Sequence, residues 1–195
     1  MPRTVCPWWL GHLLAHPMRR WWQHPGEILR PFVAEGMTVL EPGCGMGFFT
    51  IELARLVGPA GRVVATDIQP RMLAGLARRA RRAGLAGRID ARLVEADGVG
   101  VEDLEGRVDF ALAFAMVHEL PDHGRFFAEV RRALKPGGKL LVAEPRGHVA
   151  EDAFAEMRAS ARAAGLLADE GPAVRGSRTA VLKRASDSCL FLHKS

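Results

Sequence analysis

Cysteine is scarce in this chain and poorly spaced for a structural role. Cys6, Cys44 and Cys189 are the three cysteines in 195 residues. They are odd in number, far apart and never in a CxxC pair, so they read as reduced thiols in a reducing compartment. Long apolar runs are missing too, since none approaches the roughly 20 residues that span a bilayer. The opening "MPRTVCPWWLGHLLAHPMRR" has a cation followed by apolar residues, but His12 interrupts that run and no small-x-small cleavage site follows. The expected location is therefore the cytoplasm. Charge of one sign is in slight excess: 27 Lys+Arg against 22 Asp+Glu, for a formal +5. An excess that small can favour an acidic partner and says nothing about fold. No internal repeat covers the chain, although "WW" stands at 8–9 and again at 21–22.

What is present is an alternation of β-rich and helical segments. With 48% hydrophobic residues the chain suits one domain with its own core. Thr38-Val39-Leu40 is a short apolar run ending at Glu41. "FFTIELARLV" (48–57) has helical spacing and stops at "GP". "RVVATD" (62–67) is a second strand, and Pro70 opens a helix that runs to Gly84. "ARLVEAD" (91–97) and "VDFALAFAMV" (108–117) follow as strands, the latter apolar throughout, as a strand buried on both faces should be. Asp122 can cap "HGRFFAEVRRAL", "KPGG" (135–138) ends that helix, and "KLLVAE" (139–144) is a fifth strand. After a helical stretch over 150–164, "LLADEG" and "SRTAVLKR" (177–184) lie too close together for a crossover helix and should pair as an antiparallel hairpin. Alternating β and α with right-handed crossovers predicts a doubly wound, mostly parallel sheet with helices on both faces. Ligands of such sheets bind outside the carboxyl ends of the strands, and Glu41, Asp67, Asp97, His118 and Glu144 all fall at such ends.

The glycine-rich turn "LEPGCGMGFFT" (40–50) narrows the ligand. A nicotinamide fingerprint reads GxGxxG, but here the third glycine is Gly47 and the next residue is Phe48. Glu41 also opposes a pyrophosphate, by about 4 kcal/mol for close unit charges at a surface-like dielectric. A ligand with cationic groups and no phosphate satisfies both the acid and the close backbone approach that glycines permit. S-adenosylmethionine carries an ammonium and a sulfonium and no phosphate. Asp67 follows at the interval of a ribose-binding acid, and Asp97 could accept from an adenine amino group.

At these residues the chain resembles the class I (Rossmann-like) S-adenosylmethionine-dependent methyltransferases. "VLEPGCGMGFFT" is similar to their motif I, "VVATD" to the acidic end of their second strand, and "EADG" to their adenine-side motif. "DFALAFAMVHELPD" is similar to their fourth strand and "LKPGGKLLVAEP" to their "LKPGG" signature, so the resemblance covers roughly residues 25–185. It implies a seven-stranded sheet of order 3-2-1-4-5-7-6 with strand 7 antiparallel. It also implies S-adenosylmethionine contacts from Glu41, Gly43, Cys44, Gly45, Gly47, Phe48, Asp67, Ile68, Asp97, Gly98 and Phe114. Residues 1–35 would form a helical lid that excludes water, or a helix packed on the sheet edge, and 36–195 the methyltransferase domain. A membrane-surface role for the Trp-rich start is the weaker alternative.

Candidate catalytic residues are His118, whose ordinary pKa suits a base at neutral pH, and Glu144, with Glu119 and His123 nearby. "HELPDH" is not a zincin motif: its second histidine comes one residue late and Pro121 intervenes, so no metal is expected. "RRARR" (78–82) reads as a solvated helix face, with nucleic acid possible but not favoured. No NPPY-type motif follows the fourth strand, which argues against amino-group methylation of nucleic acid. The expected activity is methyl transfer to a small-molecule acceptor. The rivals are RNA methylation, a non-catalytic module that binds S-adenosylmethionine or S-adenosylhomocysteine, and a disfavoured nicotinamide dehydrogenase. A homodimer is left open, and "ASDSCLFLHKS" at the C-terminus has no clear reading.

Overall fold

A computed structural model describes residues 24–95 and 98–185 of the chain. Most of the expected N-terminal lid, Asp97, Cys6, Cys189 and the C-terminal tail lie outside the described residues. The seven strands form one sheet of order β3-β2-β1-β4-β5-β7-β6. The chain divides near Gly100 into two compact halves, each described by itself.

In the first half, α1 (Pro25–Leu29) precedes β1 (Thr38–Pro42). After the glycine turn come α2 (Thr50–Leu56), β2 (Arg62–Asp67), α3 (Pro70–Arg82) and β3 (Ile89–Leu93). β1 and β2 pair in parallel, Glu41 opposite Ala65, and β2 and β3 do the same, Asp67 opposite Leu93. β1 and β2 supply the core because Val39, Leu40, Val63 and Val64 are wholly buried. α3 begins at Pro70, whose fixed φ and missing N–H suit a first helical position. Its buried residues Met72, Leu76 and Ala80 recur every four positions, which fixes the inward face. Gly84 ends it at φ +68°, so that Leu85 N–H returns to the Ala80 carbonyl at 2.9 Å. β3 is offset from the expected 91–97: it starts at Ile89 and stops at Leu93, the stretch that pairs with Val63 to Asp67 of β2.

In the second half, β4 (Val108–Phe114) leads through a short 3₁₀ turn, Val117–Glu119, to α4 (His123–Ala133). β5 (Leu134–Pro145), α5 (Glu151–Ala163), β6 (Leu166–Glu170) and β7 (Ser177–Arg184) complete it. Asp122 caps α4 as expected, its carboxylate accepting from Arg125 N–H at 2.9 Å. β6 and β7 form the expected antiparallel hairpin, and β7 pairs antiparallel with β5. "KPGG" does not end the α4 segment ahead of the strand. β5 already begins at Leu134, opposite Val108, and its register against β4 shifts before Lys139 pairs with Phe110. Pro136 has no N–H to give a ladder, and Gly137 takes φ +79°, so the four residues become an irregular stretch inside the strand. Among the described residues no helix is long and apolar enough to cross a membrane.

Candidate functional site

The first half gathers two carboxylates and a thiol around the glycine turn. β1 is pinned by its buried apolar residues, so Glu41 near its end is carried inside and only 4% exposed. Gly43, Gly45 and Gly47 all take positive φ, at +65°, +54° and +83°. Gly47 is tightly enclosed, since a Cβ there would stand 2.4 Å from Leu76 Cδ1. A Cβ on Gly45 would meet nothing within 4 Å, which leaves that backbone open to approach. The turn is tied down at three points. Cys44 N–H donates to the Thr66 carbonyl at 3.1 Å, and Gly47 N–H to the Cys44 carbonyl at 3.0 Å. Gly45 N–H donates to Asp67 Oδ2 at 2.9 Å.

Asp67 is therefore an anchor of the glycine turn, a role its sequence position did not disclose. Its other oxygen accepts Gln69 N–H at 2.8 Å. Burial raises its pKa above the ordinary range, and the N–H groups of Gln69, Gly45 and Ile68 oppose that rise. A carboxylate has about four lone-pair sites, so the side chain can still accept a hydroxyl group.

Glu41 has no such support. Its Oε2 is buried with no hydrogen-bond partner among the described residues. Burial pushes its pKa up to about 8, the Thr50 hydroxyl opposing and the nearby Asp67 charge adding to the rise. Burial thus disfavours the charged form of this acid, with the Thr50 hydroxyl only partly offsetting it. Cys44 is 5% exposed, and burial, then Glu41 and Asp67, hold its thiol well above the usual range, so it packs as a small hydrophobe.

Of the other expected cofactor contacts, Phe48 is half-buried and stacks edge-on against Phe49 with centroids 5.0 Å apart. Ile68 is 36% exposed beside Asp67. Gly98 N–H donates to the Glu95 carbonyl at 3.2 Å, and Asp97 lies outside the described residues. Phe114 closes β4 in the second half and is half-buried.

The second half builds a different arrangement at the ends of β4 and β5. Ala115 N–H extends the ladder to the Ala143 carbonyl at 2.8 Å, and Ala115 then takes φ +57°, costly for any residue with a Cβ. That bend sends Val117 and His118 back toward β5. Glu144 Oε1 accepts Val117 N–H at 2.8 Å, and Oε2 meets His118 Nδ1. Glu144 is fully buried. The His118 side chain is 21% exposed, with Nε2 at 4.0 Å from Glu119 Oε1. His123 opens α4 beyond Pro121, on a separate element from His118. Among the described residues no group of three or more His, Cys, Asp or Glu could hold a metal.

One neighbour escaped the sequence reading. The His148 ring lies edge-on to His118, centroids 5.7 Å apart, in the turn after β5 where His148 N–H donates to the Pro145 carbonyl at 3.0 Å. The strand-end rule that picked Glu144 could have found it, since His148 comes just past the carboxyl end of the same strand.

Known proteins agree with this architecture. A family model described as a methyltransferase domain matches residues 34–183. The chain is 32% identical over 135 residues to the ubiquinone/menaquinone biosynthesis C-methyltransferase UbiE of Pasteurella multocida, covering 69% of this chain and 49% of that protein. It is 35% identical over 116 residues to the ribosomal protein L11 methyltransferase of Pelotomaculum thermopropionicum, covering 60% of this chain and 35% of that one. The chain thus spans half or less of the length of these curated relatives. A SAM-dependent methyltransferase from Aquifex aeolicus superposes with a TM-score of 0.81 at 24% identity, over 93% of this chain and all of that one. Matched over most of its length and carrying the 3-2-1-4-5-7-6 sheet, the chain belongs to the methyltransferase-domain family, with the class I fold whose cofactor is S-adenosylmethionine.

Proposed function

We propose that the protein transfers a methyl group from S-adenosylmethionine to a small-molecule acceptor that gives up a proton in the reaction, with His118 as the base. The observation that carries the proposal is the His118–Glu144 pair. A fully buried carboxylate that accepts one backbone N–H and faces Nδ1 fixes the imidazole's tautomer and leaves Nε2 as its basic nitrogen. Glu144 is thus a positioning residue. An acceptor already carrying a lone pair and no proton would need no such pair.

The residues of the first half fit the cofactor. Glu41 offers a buried unsatisfied oxygen to a cationic group, Asp67 offers acceptor capacity to sugar hydroxyls, and Gly45 leaves its backbone open. When bound, S-adenosylmethionine supplies an electrophilic methyl on a sulfonium. The chain's share is then alignment, exclusion of water and removal of the acceptor proton. For a small acceptor speak the stretch "AFAMVHELP" where nucleic-acid amino methylases carry NPPY, and the small-molecule pathway in the name of UbiE.

The test is labelled-methyl transfer with S-adenosylmethionine against a metabolite extract, bulk RNA and bulk protein in parallel. Label in the metabolite fraction that disappears in His118→Ala supports the reading. Label in RNA or protein overturns the acceptor class. Cofactor binding with no transfer to any fraction supports the non-catalytic module.

A further inference from the structure

Two carboxylates, Glu41 and Asp67, lie within electrostatic reach of each other in the first half, and both are buried. Among the described residues the groups acting on Glu41 are Asp67 from the end of β2 and Thr50 from α2, with Cys44 in the glycine turn within the same field, and none of these is an arginine, lysine or histidine. Two close buried acids without a cation do not both ionise readily. Their partners decide which one holds the proton. Asp67 accepts Gly45 N–H and Gln69 N–H, bonds that favour its anion. Glu41 Oε2 accepts nothing from the described residues.

We infer that Glu41 is protonated in the unliganded pocket and releases its proton when a cationic ligand docks beside it, so that cofactor binding is a proton-releasing step. The inference rests on the cofactor assignment and adds to it a proton that leaves the protein. A cation brought near Oε2 replaces the missing partner and makes the anion the stable form. The released proton passes to solvent, and charge balances: the pocket gains one negative charge where it gains the ligand's positive one. A neutral nucleoside brings no such compensation, so discrimination between charged and uncharged ligands resides in this one side chain.

Isothermal titration of S-adenosylhomocysteine, which keeps the ammonium, tests this without any methyl acceptor. Run at pH 7 in phosphate and in imidazole, whose ionisation enthalpies differ, the wild-type protein should release close to one proton per ligand bound. Its affinity should rise close to tenfold per pH unit between pH 5.5 and 7, below the range of about 7.7–8 where α-amino groups begin to titrate. Glu41→Gln should release none and show an affinity independent of pH. Binding by the wild type with no proton release overturns the inference, as does release that persists in Glu41→Gln. If Glu41→Gln fails to fold, the wild-type proton count and pH slope decide alone. Failure of the wild type to bind S-adenosylhomocysteine at all would sink the cofactor assignment and this inference with it.

Discussion

Glu41 and Glu144 both stand near the carboxyl end of a core strand, one in each half of the chain, and both are buried. Glu144 has both oxygens engaged, one by Val117 N–H and one by His118 Nδ1. Glu41 has an oxygen that no described group satisfies. The same residue in the same kind of position is thus treated in opposite ways: one is locked into the protein's own hydrogen bonds, the other has an oxygen short of a partner among the described residues. On the functions proposed above, the first works through its neighbour and the second waits for a ligand.

The largest expected effect breaks the satisfied half. His118→Ala should lower the turnover of labelled-methyl transfer by about 10²–10⁴-fold, the usual range for loss of a general base. Glu144→Gln should cost less, about 10–100-fold, because it disturbs only the orientation of the ring. It should also shift the pH–rate profile, a readout that a purely structural role would leave in place. Equal turnover in wild type and His118→Ala would remove the base assignment.

The unsatisfied half should reveal itself in stability against pH. The folded-state pKa of Glu41, about 8, lies above its ordinary value of 4.5. Its contribution to stability is therefore fully present below about pH 4.5 and lost as pH rises through 8. Denaturant unfolding of the unliganded protein should show this group's contribution falling by a few kcal/mol between pH 5 and 8. The raised pKa of Asp67 acts with the same sign. Glu41→Gln should flatten most of that slope, and an unchanged slope would show that Glu41 is not the proton holder.

The smallest effect concerns the turn between Glu41 and Asp67. Gly47→Ala places a Cβ 2.4 Å from Leu76 Cδ1 at φ +83°, and should destabilise the protein by about 1–3 kcal/mol in the same unfolding assay. No loss would mean that the turn has room to adjust and that its shape does not depend on a glycine at 47.

Much of this was legible in the sequence, for physical reasons that differ residue by residue. β2 and β7 have the bounds read from composition, because β-branched and apolar runs flanked by glycine or proline leave little choice. The Asp122 cap was legible because capping is local. The glycine spacing announced a turn, which the structure has, with positive φ at Gly43, Gly45 and Gly47. Hydrogen-bond accounting was not legible. Glu144 was a candidate by its strand-end position alone, and the tertiary bend at Ala115, a residue with no sequence preference for positive φ, brings Val117 and His118 to it. "KPGG" looked like a helix stop, and pairing of Leu134 with Val108 drew it into β5. The proton on Glu41 depends on which neighbours are missing, and a string of letters does not show that.

The most direct measurement is a paired titration of the wild-type protein and Asp67→Ala with S-adenosylhomocysteine and with NADH. The account predicts S-adenosylhomocysteine binding by the wild type, weakened about tenfold or more in Asp67→Ala, where the anchor of Gly45 and the hydroxyl acceptor are both lost, and negligible NADH binding. Tight NADH binding with no response to S-adenosylhomocysteine would contradict it.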